Sequence, residues 1–167
     1  MKKTALVAYL FATGLVMFLI GCTTGQKDRV PKNTLATAQE TVRAFCDLDA
    51  DGVRLKSETW SRILPYIAWT EEAGWDRTAV IEGYRIVKSD NTSEKLELVT
   101  VEYQIAGNLS QDYMPAKQME TVIFTVQKTG DGWKIKDPDF MPPHVLMQPV
   151  IRHLRETRRL ELVDKIK

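Results

Sequence analysis

The chain has 167 residues, of which 44% are hydrophobic and 27% charged. That amounts to one globular domain of about 100–150 residues plus an appendage, and it excludes a disordered chain and a multi-span membrane protein. Twenty-three Lys+Arg against 22 Asp+Glu give a net charge of +1, so no electrostatic footprint for nucleic acid is present. Two cysteines and two histidines make neither a disulfide scaffold nor a three-histidine metal centre.

At the N-terminus, Lys2 and Lys3 precede an apolar run from Ala5 to Ile20 that ends Leu19-Ile20-Gly21-Cys22. A basic head, an apolar stretch and small residues at its end describe a secretory signal peptide. The run is marginal for a spanning helix, which needs about 20 apolar residues. Its last four residues resemble the lipobox of bacterial lipoproteins. The resemblance implies cleavage after residue 21, diacylglyceryl and acyl (palmitate) chains on Cys22, and a membrane partner held through them. The alternative is an uncleaved anchor with an incidental Cys22. Cleavage removes two lysines and no acid, leaving 146 residues with 21 basic and 22 acidic side chains. The exported part is then neutral, so lipid rather than surface charge holds it. Cys46 becomes the sole thiol and reads as a small buried hydrophobe. Thr23 follows the cysteine where some Gram-negative lipoproteins carry an inner-membrane aspartate. The implied site is the outer membrane facing the periplasm in a Gram-negative source, and otherwise the outer face of the cytoplasmic membrane.

Residues 22–33 read as the lipidated cysteine and a flexible polar tether, able to span at most about 35 Å. Residues 34–167 read as one domain. Leu35, Ala38, Val42 and Phe45 recur at helical spacing. Thr34 or Thr37 caps that helix, the latter with Glu40 three residues on. A second helical segment from Ser57 carries Trp60, Ile63, Leu64 and Ile67 on one face and kinks or ends at Pro65. After Arg77 the period becomes two. Strands are predicted at Val80–Lys88, Leu96–Ile105, Glu120–Lys128 and Trp133–Lys136, the last pair joined by Thr129-Gly130-Asp131-Gly132. Val99, Val101, Tyr103 and Ile105 share one strand face; Val122, Phe124 and Val126 share another. Short links make these strands antiparallel neighbours, and an Arg-rich helix runs from Val150 to the end. The reading is therefore α+β: N-terminal helices on a curved antiparallel sheet of about four strands, with an added C-terminal helix.

This order resembles the nuclear transport factor two-like superfamily, which includes ketosteroid isomerases and polyketide cyclases. The residues carrying the resemblance are Val42-Arg43-Ala44-Phe45, the segment Ser57–Pro65 and the hairpin ending Gly132-Trp133-Lys134-Ile135. It implies a cone-shaped domain whose interior often holds an apolar pocket and whose outer sheet face often dimerises. If this chain has such a pocket, Trp60, Trp69, Trp75, Tyr84, Tyr103 and Phe124 are expected to line it; otherwise they are plain core. The outer face, with Leu98, Thr100, Thr121, Ile123 and Thr125, suits a homodimer.

A sharper motif is Asp47-Leu48-Asp49-Ala50-Asp51-Gly52 with Glu58 at the twelfth position, the D-x-D-x-D-G-x5-E pattern of a calcium loop. Its surroundings argue for an Asp/Gly-rich helix connection instead. Val42 and Phe45 fall five and two positions before the loop where four and one are usual, Arg54 occupies the eighth position, and no second loop exists. Calcium held by Asp47, Asp49, Asp51 and Glu58 remains an alternative to having no cofactor.

Glu82, Glu102, Glu120 and Asp137 are strand carboxylates, with Glu102 opposite the Val99–Ile105 face. His144 and His153 read as polar residues near the surface. In the last helix, Arg152 and Glu156 have intrahelical ion-pair spacing. Nothing matches a G-x-S-x-G, H-E-x-x-H, phosphate-loop or C-x-x-C motif. The expected function is a lipid-anchored extracytoplasmic module, non-catalytic, binding a small apolar ligand or an envelope partner protein. The alternatives are the calcium-binding lipoprotein and a pocket enzyme of isomerase or cyclase type.

Overall fold

The computed structural model describes residues 32–71, 74–136 and 141–166. The signal peptide, Cys22 and most of the tether lie outside the described residues, as do Asp137 and Pro138. No helix among the described residues is long and apolar enough to cross a membrane.

Helix α1 spans Ala38–Ala50. Thr37 opens it with a full capping box: its hydroxyl accepts from the Glu40 N–H at 3.1 Å, and Glu40 returns a carboxylate to the Thr37 N–H at 3.0 Å. Ala38, Val42, Phe45 and Cys46 are buried on its inner face. The domain begins one residue earlier than expected. Asn33 is buried, with its backbone N–H donating to Asp131 and its amide to Thr41 and Trp133.

The segment after α1 is built from two short 3₁₀ turns, Val53–Leu55 and Ser57–Arg62, rather than an α-helix. Trp60, Ile63 and Ile67 still point into the core. Beyond Pro65 the chain lies along a sheet edge, where Tyr66 and Ala68 exchange backbone hydrogen bonds with Ile135.

The sheet has five strands: β1 Thr78–Ser93, β2 Leu96–Leu109, β3 Tyr113–Thr129, β4 Gly132–Ile135 and β5 His144–Leu146, in the order β4-β3-β2-β1-β5. The meander β1-β2-β3-β4 is antiparallel, and β5 adds in parallel beside β1. Four register shifts in β1 against β2, and one near Ile105 in β2 against β3, bend these long strands and curl the sheet. The curl lets α1 sit in the concavity. Val99, Val101, Tyr103, Ile105, Phe124 and Val126 face it and are buried.

Several boundaries differ from the sequence reading. Strands β1 and β2 extend past the predicted limits, and β3 starts at Tyr113 rather than Glu120. Gly107 permits that approach, since a Cβ there would fall 2.5 Å from the Tyr113 ring. The C-terminal helix is two, α2 Met147–Glu156 and α3 Leu160–Ile166, broken where Arg158 adopts φ 59°. Strand β5, only three residues long, had no period for sequence reading to detect. Helices α2 and α3 bury Val150, Ile151, Leu154, Leu162, Val163 and Ile166 against Val80, Leu109, Tyr113 and Val145, a second core packed on β1, β2, β3 and β5. Their charges tie outward across elements: Arg152 reaches Asp51 at 3.6 Å and Glu156 pairs with Lys56, in place of the expected Arg152–Glu156 pair.

Candidate functional site

The six aromatic residues do not gather round one cavity. Trp60, Tyr103 and Phe124 are packed in the core, Phe124 edge-on to Phe45 at 5.8 Å. Trp69 is half-buried against that core, and Tyr84 donates its hydroxyl to Asp47 and to the Arg43 carbonyl. Trp75 alone of the six borders a cleft of about 750 Å³. The space between α1 and the sheet is thus filled by side chains.

Nor are the four calcium-loop carboxylates brought together. Helix α1 continues through Ala50, so Asp47 and Asp49 lie two residues apart on a helix, about 200° around its axis. Asp47, Asp51 and Glu58 are exposed, whereas Asp49 is buried. Gly52 serves the helix end: at φ 81° it reverses the chain, as left-handed glycines do past helix C-termini. Among the described residues, no three His, Cys, Asp or Glu side chains are grouped so as to hold a metal.

Asp49 belongs instead to a buried polar cluster. Its Oδ2 accepts from Arg54 Nη1 at 3.1 Å and from the His144 backbone N–H at 2.9 Å. Arg54 Nη2 donates to the Met141 carbonyl at 2.8 Å. The guanidinium carbon stands 4.2 Å from the Trp75 ring centroid and 5.6 Å from that of Phe45, distances at which cation–π attraction operates. One ion pair therefore locks α1, the first 3₁₀ turn and the segment carrying β5. Burial pushes the Asp49 carboxyl up, while Arg54 and the His144 N–H oppose that shift.

His144 is fully buried, contrary to its expected surface position. Its ring stacks on Tyr103 at 4.1 Å, and Nδ1 donates to the Pro142 carbonyl at 2.9 Å. Nε2 lies 3.6 Å from Glu120. Glu120 sits opposite Tyr103 in the register and so faces inward, and the neighbouring His144 ring draws its carboxyl below the ordinary value. Glu82 and Glu102 are on the outer side, bonded to Gln104 and Arg85. The Tyr103 hydroxyl and Cys46 Sγ meet at 3.1 Å. Burial pushes the Cys46 thiol up to about 12 and holds the Tyr103 phenol well above its usual value.

On the other side of Arg54 the molecule opens. A cleft of about 750 Å³ is bounded by Arg54 and Leu55, by Trp75 to Thr78, by Leu109 to Gln111, by Pro143, and by His153 and Arg159. Arg159 is braced on its rim by the Ser110 and Gln111 carbonyls at 2.8 and 3.2 Å. Of these residues sequence reading singled out Trp75, His153 as a polar residue near the surface, and Arg54 only as a charge out of place at the eighth loop position. That misplacement was the available signal. Arg77, His153 and Arg159 are assembled by β5 and by the break between α2 and α3, neither of which periodicity foretells.

No protein-family model, curated protein or solved structure matches the chain at a significant level.

Proposed function

We propose that the protein is a lipoprotein of the bacterial cell envelope, anchored through acyl chains on Cys22, whose single α+β domain binds a small ligand and is not an enzyme. The observation that carries the binding role is the cleft beside Trp75, large enough for a small organic molecule and flanked by an indole and buried polar groups. Helices followed by a curled meander support kinship with the nuclear transport factor two-like superfamily. Binding is favoured over turnover because the buried carboxylate, Asp49, is committed to Arg54, and the half-buried Glu120 faces His144. In a Gram-negative source the domain faces the periplasm from the outer membrane.

Two measurements test this reading. Envelope fractionation should place the wild-type chain in membranes and Cys22→Ser outside them. Solvent extraction of gently purified protein should release one organic compound in near-stoichiometric amount. A wild-type chain free of lipid, or a protein that releases nothing, contradicts it.

A second copy of this chain is the partner we assign to the outer sheet face. There Leu98 lies opposite Thr125 and Thr100 opposite Ile123, with Ile123 60% and Met119 56% exposed. Sedimentation at tens of micromolar should give a dimer that Ile123→Glu converts to monomer; a wild-type monomer refutes the assignment.

A further inference from the structure

Three arginines, Arg54, Arg77 and Arg159, line the Trp75 cleft with one acidic residue, Asp76. Arg54 is balanced by Asp49 and Arg159 is held by two backbone carbonyls, so Arg77 and Arg159 bring the net positive charge. Arg54 has no exposed side-chain surface, and its Nε has no hydrogen-bond partner. The Trp75 Nε1 is likewise buried without a partner, with its ring against the same guanidinium. Both nitrogens carry hydrogen and neither can accept. A buried donor left unmade is costly, and here two belong to residues that line one open cleft. His153, which lines it too, adds a third unpartnered nitrogen, Nδ1.

Such a site selects by charge and by donor count. A cation meets the guanidinium groups of Arg77 and Arg159, and a purely apolar ligand leaves the donors unmade. An anion rich in acceptor oxygens satisfies both conditions, and guanidinium groups bind phosphate and carboxylate through paired N–H donors. We propose that this cleft binds a small organic anion, a phosphate or carboxylate, through Arg54 Nε, Trp75 Nε1 and the guanidinium of Arg77. The anionic group occupies the Trp75 end. The organic remainder lies along Leu55, Leu109 and Pro143, which line the same cleft. This inference rests on the ligand-binding reading above and adds the chemical class.

The test uses the full chain in neutral detergent, titrated with inorganic phosphate and with succinate by calorimetry and tryptophan fluorescence. The expected result is saturable one-to-one binding of at least one probe. It should weaken about tenfold in Arg77→Gln, the loss of one charge-assisted contact, and far less in Arg77→Lys. Arg77 is exposed, so the variant is expected to fold, and a melting curve checks that it does. Vesicles of phosphatidylcholine with or without phosphatidylglycerol then separate two sources of the same chemistry. Competition by the anionic vesicles alone identifies a lipid headgroup, whereas no competition identifies a free anion; either supports the site. Absence of saturable binding, or binding unchanged in Arg77→Gln, overturns the inference. If the protein then releases a neutral organic compound on extraction, the cleft remains a ligand site and only the anion assignment fails. If it releases nothing, the binding reading fails too.

Discussion

Replacing Asp49 by alanine should cost more stability than any other single change in the domain's interior polar cluster. The carboxylate balances a guanidinium with no exposed side-chain surface and accepts the only hydrogen bond shown for the His144 N–H. Removing one partner of a buried ion pair costs about 3–5 kcal/mol, because the other charge stays behind without compensation. An orphaned buried N–H adds about 1–3 kcal/mol, partly overlapping the first loss. A total near 4 kcal/mol is expected, against a typical domain stability of about 5–15 kcal/mol. Urea unfolding of the full chain in detergent, followed by tryptophan fluorescence, reads this as a lowered midpoint at unchanged slope. Asp49→Leu combined with Arg54→Met removes both charges together. It should recover at least about 2 kcal/mol of the loss, since apolar replacement of a whole buried pair is often neutral. A single-variant cost below about 1 kcal/mol would refute the reasoning. So would a double variant no more stable than Asp49→Ala.

Three further expectations concern other parts of the molecule. With its thiol pushed up to about 12 and buried against Tyr103, Cys46 should resist maleimide at pH 8 until the protein is unfolded; peptide mapping that finds it modified within minutes in the native state contradicts this. Gly132→Ala should destabilise by about 1–3 kcal/mol from its φ of 98° alone. The loss should be larger in practice, because the added Cβ falls 2.2 Å from the Asn33 carbonyl oxygen and must undock that segment, and a melting temperature equal to wild type would exclude the effect. Burial, and after it Lys56, holds the His153 imidazole below its ordinary 6.5. The unfolded chain therefore takes up a proton from about pH 6.5 downward while the folded chain does not. Stability should fall as pH drops below 6.5, and His153→Gln should flatten that slope; an unchanged slope assigns it elsewhere.

Local signals carried well from sequence to structure, and long-range ones did not. The Thr37–Glu40 box caps α1 because both halves of that reciprocal bond lie within four residues. Strand parity placed Val99, Val101, Tyr103 and Ile105 inside because a two-residue period leaves no other choice once one face is buried. The calcium-like spacing misleads for a related reason. It describes a loop, whereas Asp47 and Asp49 were already inside a helix that turned them to opposite sides. The candidate site was the least legible part. Arg54 meets Met141 across 87 residues, on the segment that leads into β5, and β5 pairs in parallel with β1 across 65 residues, which no short pattern announces.

The measurement that bears most directly on the account is native mass spectrometry of the full-length protein released gently from membranes. The account predicts the mass of a chain beginning at Cys22 with diacylglyceryl and acyl groups attached, carrying one further small molecule that is depleted in Arg77→Gln. A polypeptide beginning at Met1 without lipid, or a lipidated chain with no retained molecule in any preparation, would contradict it.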